Sequence, residues 1–162
     1  MRGLLQGAGG RERQGTVGYA AGAFDLFHVG HLNILKHSAD RCDHLVAGVV
    51  SDAVLLETKG IVPVIPEEER VQIVAAMGCV DAVYVERQVD RLLTWDDVRF
   101  DVFFKGDDWR GTPKGLDLER RLGQQGVRVE YFPYTASTSS TRLRSALDLI
   151  ESSARVPLGT SA

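Results

Sequence analysis

Two histidines stand three positions apart in the stretch AAGAFDLFHVGHLNIL, Ala20 to Leu35, just after an apolar run that ends at Gly22. Three chemistries fit such a pair. As zinc ligands, His28 and His31 need a third or fourth protein ligand. His37 and His44 follow in sequence, but helical periodicity turns His37 away from the pair, and no cysteine lies close by. As packed core histidines they need no further partner. As phosphate donors they sit where a strand gives way to a helix. Free backbone N–H groups and the helix dipole favour an anion at such a point. Gly30 lets the backbone approach closely, and imidazole N–H groups can stabilise charge that develops on a phosphoryl group. The phosphate reading is the one this stretch favours.

Three further stretches carry polar groups of the right kind. FFKGDDWRGT, Phe103 to Thr112, puts Asp107, Asp108 and Trp109 directly after an apolar run. It reads either as an Asp-rich turn or as a polar rim for a base, a hydroxylated substrate or Mg²⁺. YTASTSST, Tyr134 to Thr141, leads into the final helix with more hydroxyls than the single Ser or Thr an N-cap requires. The excess points to phosphate donors at a second helix N-terminus. Lys59 falls in a Gly/Pro loop, KGIVPVIP, where an ammonium can close on a triphosphate as a point charge.

The elements that must position these groups alternate along the chain. TVGYAAGAF, DHLVAGVVS, VDAVYVE, DVFFKG and VRVEYF read as strands, the second so rich in Val that burial on both faces is expected. Between them HLNILKHSADR, SDAVLLET, PEEERVQIVAAMG, TWDDVRF and KGLDLERRLGQQG read as helices, and STSSTRLRSALDLI as a terminal helix. Ser51 or Asp52 caps the second helix. Pro66 takes the first position of the third, three glutamates favour its dipole, and Gly78 closes it. Strand–helix alternation predicts an α/β fold, a doubly wound parallel sheet of about five strands with right-handed crossovers. Ligands then bind beyond the strand C-termini, near a topological switch point, which is where each polar stretch falls.

Composition narrows the classes. The chain has 162 residues, a formal net charge of −3, 44% hydrophobic and 25% charged residues, as expected for one compact domain. The charge gives no whole-surface attraction to nucleic acid or acidic membranes, and no aromatic-basic interleaving points to a nucleic-acid binder. No apolar run approaches a bilayer span. Cys42 and Cys79 form no CxxC and read as reduced thiols of a cytoplasmic protein. Residues 1–15 and 151–162 read as flexible tails around a folded domain, 16–150.

Taken together, the blocks resemble the HxGH nucleotidyltransferase superfamily and, more narrowly, the glycerol-3-phosphate cytidylyltransferase family. GAFDLFHVGH matches the family's GTFDxxHxGH, KGDDW its KGDDW-type block, YTASTSST its RTxGISTT block, and ERVQIVAAMGCVDAV its helix leading into a Val-Asp strand. The likeness runs from Gly18 to Leu147. It implies a Rossmann-like cytidylyltransferase domain that moves CMP from CTP to a small phosphorylated alcohol such as glycerol 3-phosphate. Pyrophosphate leaves, and Mg²⁺ neutralises the triphosphate. The resemblance makes His28, His31 and Lys59 catalytic. It places Ala23, Phe24, Asp25, Gly30, Gly106, Asp108, Thr135, Ser139, Ser140 and Thr141 at the nucleotide. Asp107, Trp109 and Tyr134 fall on the acceptor side, with no set of protein metal ligands. It also implies a homodimer. The alternatives are cytidylylation of a phosphonate such as 2-hydroxyethylphosphonate, adenylylation of a sugar phosphate (a related subgroup uses ATP and heptose 1-phosphate), and a non-catalytic nucleotide-binding scaffold.

The chain departs from the family pattern at named positions. Ala23 replaces a Thr, Ser137 and Thr138 replace Gly-Ile, and Tyr134 and Gly78 stand where arginines are usual. Two lost guanidiniums remove strong phosphate contacts, for which Lys105, Arg110 and Lys114 are candidate replacements.

Overall fold

The computed structural model describes residues 15–133 and 138–154. Five strands alternate with helices: β1 (Val17–Gly22), α1 (Val29–Ala39), β2 (His44–Val50), α2 (Asp52–Lys59), α3 (Glu67–Ala75), β3 (Ala82–Glu86), α4 (Arg91–Val98), β4 (Val102–Gly106), α5 (Pro113–Gly123), β5 (Arg128–Phe132) and α6 (Ser140–Ala154). A 3₁₀ turn, Asp107–Trp109, follows β4. All strand pairs are parallel, in the order β3-β2-β1-β4-β5. The fold is the expected doubly wound α/β sheet. β1 is central, and the order reverses between β1 and β4, which creates the switch-point crevice.

Strand alternation sends the core to both faces. Ala20 on β1, with Val102 and Phe104 on β4, packs against Leu35 of α1 and Val74 of α3. Val17, Tyr19 and Phe103 face the other way, onto Val98 of α4 and Leu118 and Leu122 of α5. Sheets covered on both faces need this two-sided apolar pattern. Tyr19 stacks on Phe100, ring centroids 4.8 Å apart, and its hydroxyl donates to the buried Glu86 at 2.7 Å. That hydroxyl fills the space over Gly48, where any Cβ would collide with it.

Helix ends differ from expectation in ways the caps explain. Ser51 caps α2 through its hydroxyl, which accepts from the Val54 N–H. Gly60, in the left-handed region at φ 64°, terminates it. Lys59 is therefore the last residue of α2 rather than part of the loop. Pro66 is the N-cap of α3 rather than its first helical residue. Its extended backbone (ψ 152°) presents the carbonyl to the Glu69 and Arg70 N–H groups. α3 ends at Ala75, with Ala76 as C-cap, so Gly78 lies beyond it in open space. α6 runs past Ile150 to Ala154. Among the described residues no helix is long and apolar enough to cross a membrane.

Candidate active site

The turn from β1 into α1 is held open by a buried carboxylate. Phe24 and Leu26 both adopt the left-handed region, at φ 52° and 51°, which side-chain-bearing residues rarely do. Asp25 between them is 2% exposed. Its carboxylate accepts from the backbone N–H groups of Val64 at 3.0 Å and Ile65 at 2.9 Å, and pairs with Arg144 of α6. Its carbonyl accepts from the Ser140 hydroxyl at 2.7 Å. Contacts to two distant segments offset the local strain.

Past this turn, the histidines cap α1. His28 is the N-cap: its Nδ1 accepts from the Gly30 N–H at 3.0 Å, while Nδ1 of His31 accepts from the His28 N–H at 3.4 Å. This is a capping box made from two imidazoles. The rings stack with centroids 4.0 Å apart. Because each Nδ1 is an acceptor, the neutral ring carries its hydrogen on Nε2. Burial lowers the pKa of His28, and burial together with the neighbouring His28 lowers that of His31 to about 4, against an opposing pull from Asp25. Both rings are thus neutral Nε2–H donors at neutral pH.

They open onto a cavity of about 300 Å³ at the switch point. α1 and its N-cap contribute His28, Gly30, His31, Asn33, Ile34 and His37. His37, expected to turn away, lines the same cavity. Gly30, Asn33, Ile34 and His37 follow the i, i+3, i+4, i+7 repeat of one helical face, and that face lines the cavity alongside His31. The His37 ring lies against Phe132, centroids 5.5 Å apart. Lys59 enters from the end of α2, and Lys105, Gly106, Asp108 and Trp109 from the end of β4. Phe132, Pro133 and the hydroxyl run Thr138 to Thr141 close the opposite side. Ser139 accepts from the Arg142 N–H at 3.3 Å, so the start of α6 is capped beside the cavity.

Trp109 is fixed by the next helix. The Thr112 hydroxyl donates to the Trp109 carbonyl at 2.8 Å and accepts from the Gly115 N–H at 3.0 Å. Gly115 is required there, since a Cβ would strike the Trp109 carbonyl oxygen.

The structure thus brings together His28, His31, Lys59, Gly30, Gly106, Asp108, Trp109, Ser139, Ser140 and Thr141. It does not bring Ala23, Phe24, Asp25 or Asp107 to the cavity wall. Ala23 packs against Val50, Val54 and Leu55, Phe24 is a core residue, and Asp25 is the buried clamp described above. Tyr134 and Thr135 lie outside the described residues. Of the candidate replacements for the missing arginines, Lys105 lines the cavity, Arg110 lies over the Tyr131 ring, and Lys114 edges a neighbouring shallow hollow.

Arg70 was not singled out by its sequence context, a charged run at a helix start. It is fully buried and ties the strand ends together. Its guanidinium donates to the carbonyls of Ala23, Val50 (3.0 Å) and Ile65 (2.9 Å) and pairs with Asp52 at 2.5 Å.

Among the described residues no three His, Cys, Asp or Glu converge as metal ligands. Asp108 is the one carboxylate among the described cavity-lining residues. This donor set suits a Mg²⁺ carried mainly on phosphate oxygens rather than a protein cage.

Comparisons with known proteins bear on the family and the fold. The family model described as cytidylyltransferase-like matches residues 19–146. Two proteins named bifunctional protein HldE are similar. One, from Syntrophotalea carbinolica, is 37% identical over 82% of this chain, and one from Streptomyces coelicolor is 40% identical over 82%. The matched stretch is only 27% and 28% of those proteins' lengths, so this chain corresponds to little more than a quarter of each. The crystal structure of a lipopolysaccharide core biosynthesis protein from Thermoplasma volcanium superposes with a TM-score of 0.63 at 25% identity. The match covers 75% of this chain and 97% of that one.

Proposed function

This chain belongs to the cytidylyltransferase-like family and is a nucleotidyltransferase, and we propose that it transfers a nucleoside monophosphate from a nucleoside triphosphate to a sugar phosphate. An oxygen of the acceptor's phosphate attacks the α-phosphorus, the bond from that phosphorus to the α–β bridging oxygen breaks, and pyrophosphate departs. The acceptor phosphate is already ionised at neutral pH, so no general base is needed. What the site must supply is positioning and charge stabilisation.

The observation that carries this reading is the locked pair of neutral imidazoles. Their Nε2–H groups are the donors a developing pentacovalent phosphate requires, and their Nδ1 atoms are held by the helix cap. The N-termini of α1 and α6 add backbone donors and dipole, and Lys59 adds a point charge. Mg²⁺ bound to the triphosphate would neutralise part of its charge. The sugar-phosphate acceptor is supported by the similarity to a lipopolysaccharide core biosynthesis protein. A second reading, CTP with glycerol 3-phosphate, is favoured by the intact KGDDW block at Lys105 to Trp109. We carry over a homodimer from the family resemblance, and a cytoplasmic setting from the free thiols Cys42 and Cys79.

The test is a matrix of CTP and ATP with Mg²⁺ against hexose and heptose 1-phosphates, glycerol 3-phosphate and 2-hydroxyethylphosphonate, following pyrophosphate. Release with a sugar phosphate is expected. Tight nucleotide binding without pyrophosphate from any acceptor refutes the enzyme in favour of a scaffold.

A further inference from the structure

One cavity cation is left unused by the reading above. Lys105, the fourth residue of β4, lines the cavity with its ammonium 4.1 Å from the Trp109 ring centroid. It makes no ion pair among the described residues. Neighbouring guanidiniums are engaged: Arg91 is paired with Glu86, Arg144 with Asp25, and Arg110 lies over Tyr131. The charges that face Lys105 come from four directions. Arg91 of α4 and Lys59 of α2 repel it, while Asp108 after β4 and Glu86 of β3 attract it. A partly buried ammonium beside two like charges is costly unless an anion arrives.

We propose that Lys105 binds the acceptor's own phosphate. The inference rests on the nucleotidyl-transfer reading and deepens it. Transfer requires a second phosphate to approach a triphosphate, and two multiply charged anions repel strongly in a site of low dielectric. The helix N-termini, the histidines and Lys59 serve the triphosphate. Lys105 stands on the β4 wall, where it can neutralise the incoming phosphate. The Trp109 ring beneath that ammonium holds it at the cavity wall. Lys105 therefore selects for acceptors that bear a phosphate and against the same polyol without one. Burial, with Arg91 and Lys59, lowers its pKa to about 8 against the opposing Asp108 and Glu86. Its ammonium is consequently lost just above neutrality when no anion is bound.

The test has two arms. In the first, calorimetry measures a hexose 1-phosphate and glycerol 3-phosphate binding to the full chain saturated with unreactive α,β-methylene CTP or ATP. Lys105→Met should weaken the phosphorylated acceptor at least tenfold and leave the nucleotide analogue within twofold. Lys105→Arg should restore acceptor binding and remove its weakening above pH 8. The opposite pattern, a weakened analogue with unchanged acceptor, overturns the proposal and assigns Lys105 to the triphosphate. The second arm needs neither nucleotide nor turnover. Brief acetylation followed by peptide mass spectrometry should show Lys105 protected by a hexose 1-phosphate and not by the free hexose. Equal modification in both overturns the proposal. If the analogues do not bind at all, the nucleotidyl-transfer reading fails while this arm still reads Lys105.

Discussion

His28 and His31 satisfy each other's end of the helix: Nδ1 of His31 takes the backbone N–H of His28, while Nδ1 of His28 takes that of Gly30. Capping and catalysis thus use opposite nitrogens of the same rings, and the two roles can be separated by substitution. Asn at position 28 places an oxygen near Nδ1 and is a good N-cap, but it lacks the Nε2 donor. His28→Asn should stay within about 1 kcal/mol of wild-type stability and lose turnover by about a hundredfold or more. Parallel denaturant titrations and pyrophosphate assays check this, and a variant that keeps most of its turnover removes His28 from the chemistry.

The depressed pKa of His31 makes a prediction about acid. An unfolded histidine titrates near 6.5, and folded His31 near 4. Between these values the unfolded chain holds a proton that the folded chain does not, so stability falls as pH drops across that window. His31→Gln should melt with a shallower loss of Tm from pH 6.5 to pH 4 than wild type. Parallel melting curves for the two proteins would exclude His31 as the source.

Arg70 and Asp52 form an unequal pair. The guanidinium is wholly buried, while the Asp52 side chain is 46% exposed. Arg70→Met leaves the carbonyls of Ala23, Val50 and Ile65 without their donor and should cost about 3 kcal/mol or more. Asp52→Asn keeps an oxygen that can accept from the guanidinium, but it removes the counter-charge of a buried cation and should cost about 1–2 kcal/mol, less than Arg70→Met. Urea unfolding of both variants measures the difference, and equal losses would contradict this division of roles.

Asp25 joins the first turn of the site to its last helix. With Asp25→Asn the charge that pairs with Arg144 is gone. The rest of α6 is exposed along almost its whole length, and the Arg144 bond to the Val62 carbonyl at 2.8 Å and the Ser140 bond to the Asp25 carbonyl are the other described contacts at its start. Amide exchange across Ser140–Ala154 should speed up at least tenfold, while exchange in β1 and β2 should barely change. The nucleotide KM should rise with the loosened hydroxyl run. Unaltered exchange in α6 would show that Asp25 does not anchor it.

The sheet was legible because its evidence is periodic. Val-rich runs and helix punctuation need no knowledge of distant partners, and the strands fall where those patterns lie. Single residues were harder wherever a tertiary contact decides the outcome. Phe24 and Asp25 carry a motif that reads as nucleotide-facing, yet both side chains turn inward, because the left-handed backbone on either side of Asp25 aims its carboxylate at Val64, Ile65 and Arg144. Lys59 looked like part of a loop because its neighbour Gly60 was counted as loop, when Gly60 is the residue that closes the helix. Helical periodicity does turn His37 away from His31, yet the cavity also spans the face of α1 that carries Gly30, Asn33, Ile34 and His37. Arg70 had no local signature, since its partners lie 47, 20, 18 and 5 residues away.

The central position of β1 has a consequence for how the molecule assembles. β1 pairs with β2 across a single crossover through α1, but its other edge waits for Val102 to Phe104, much further along the chain. Long-range closures of this kind are slow relative to local ones. A nascent chain that has formed β1, α1 and β2 therefore already owns its histidine cap, while the β4 and α6 walls are still missing. The capacity to bind a triphosphate thus appears late, at the closing of the second half of the sheet. Nucleotide in solution would then act on the finished fold, as a brake on its unfolding rather than as a template for its formation.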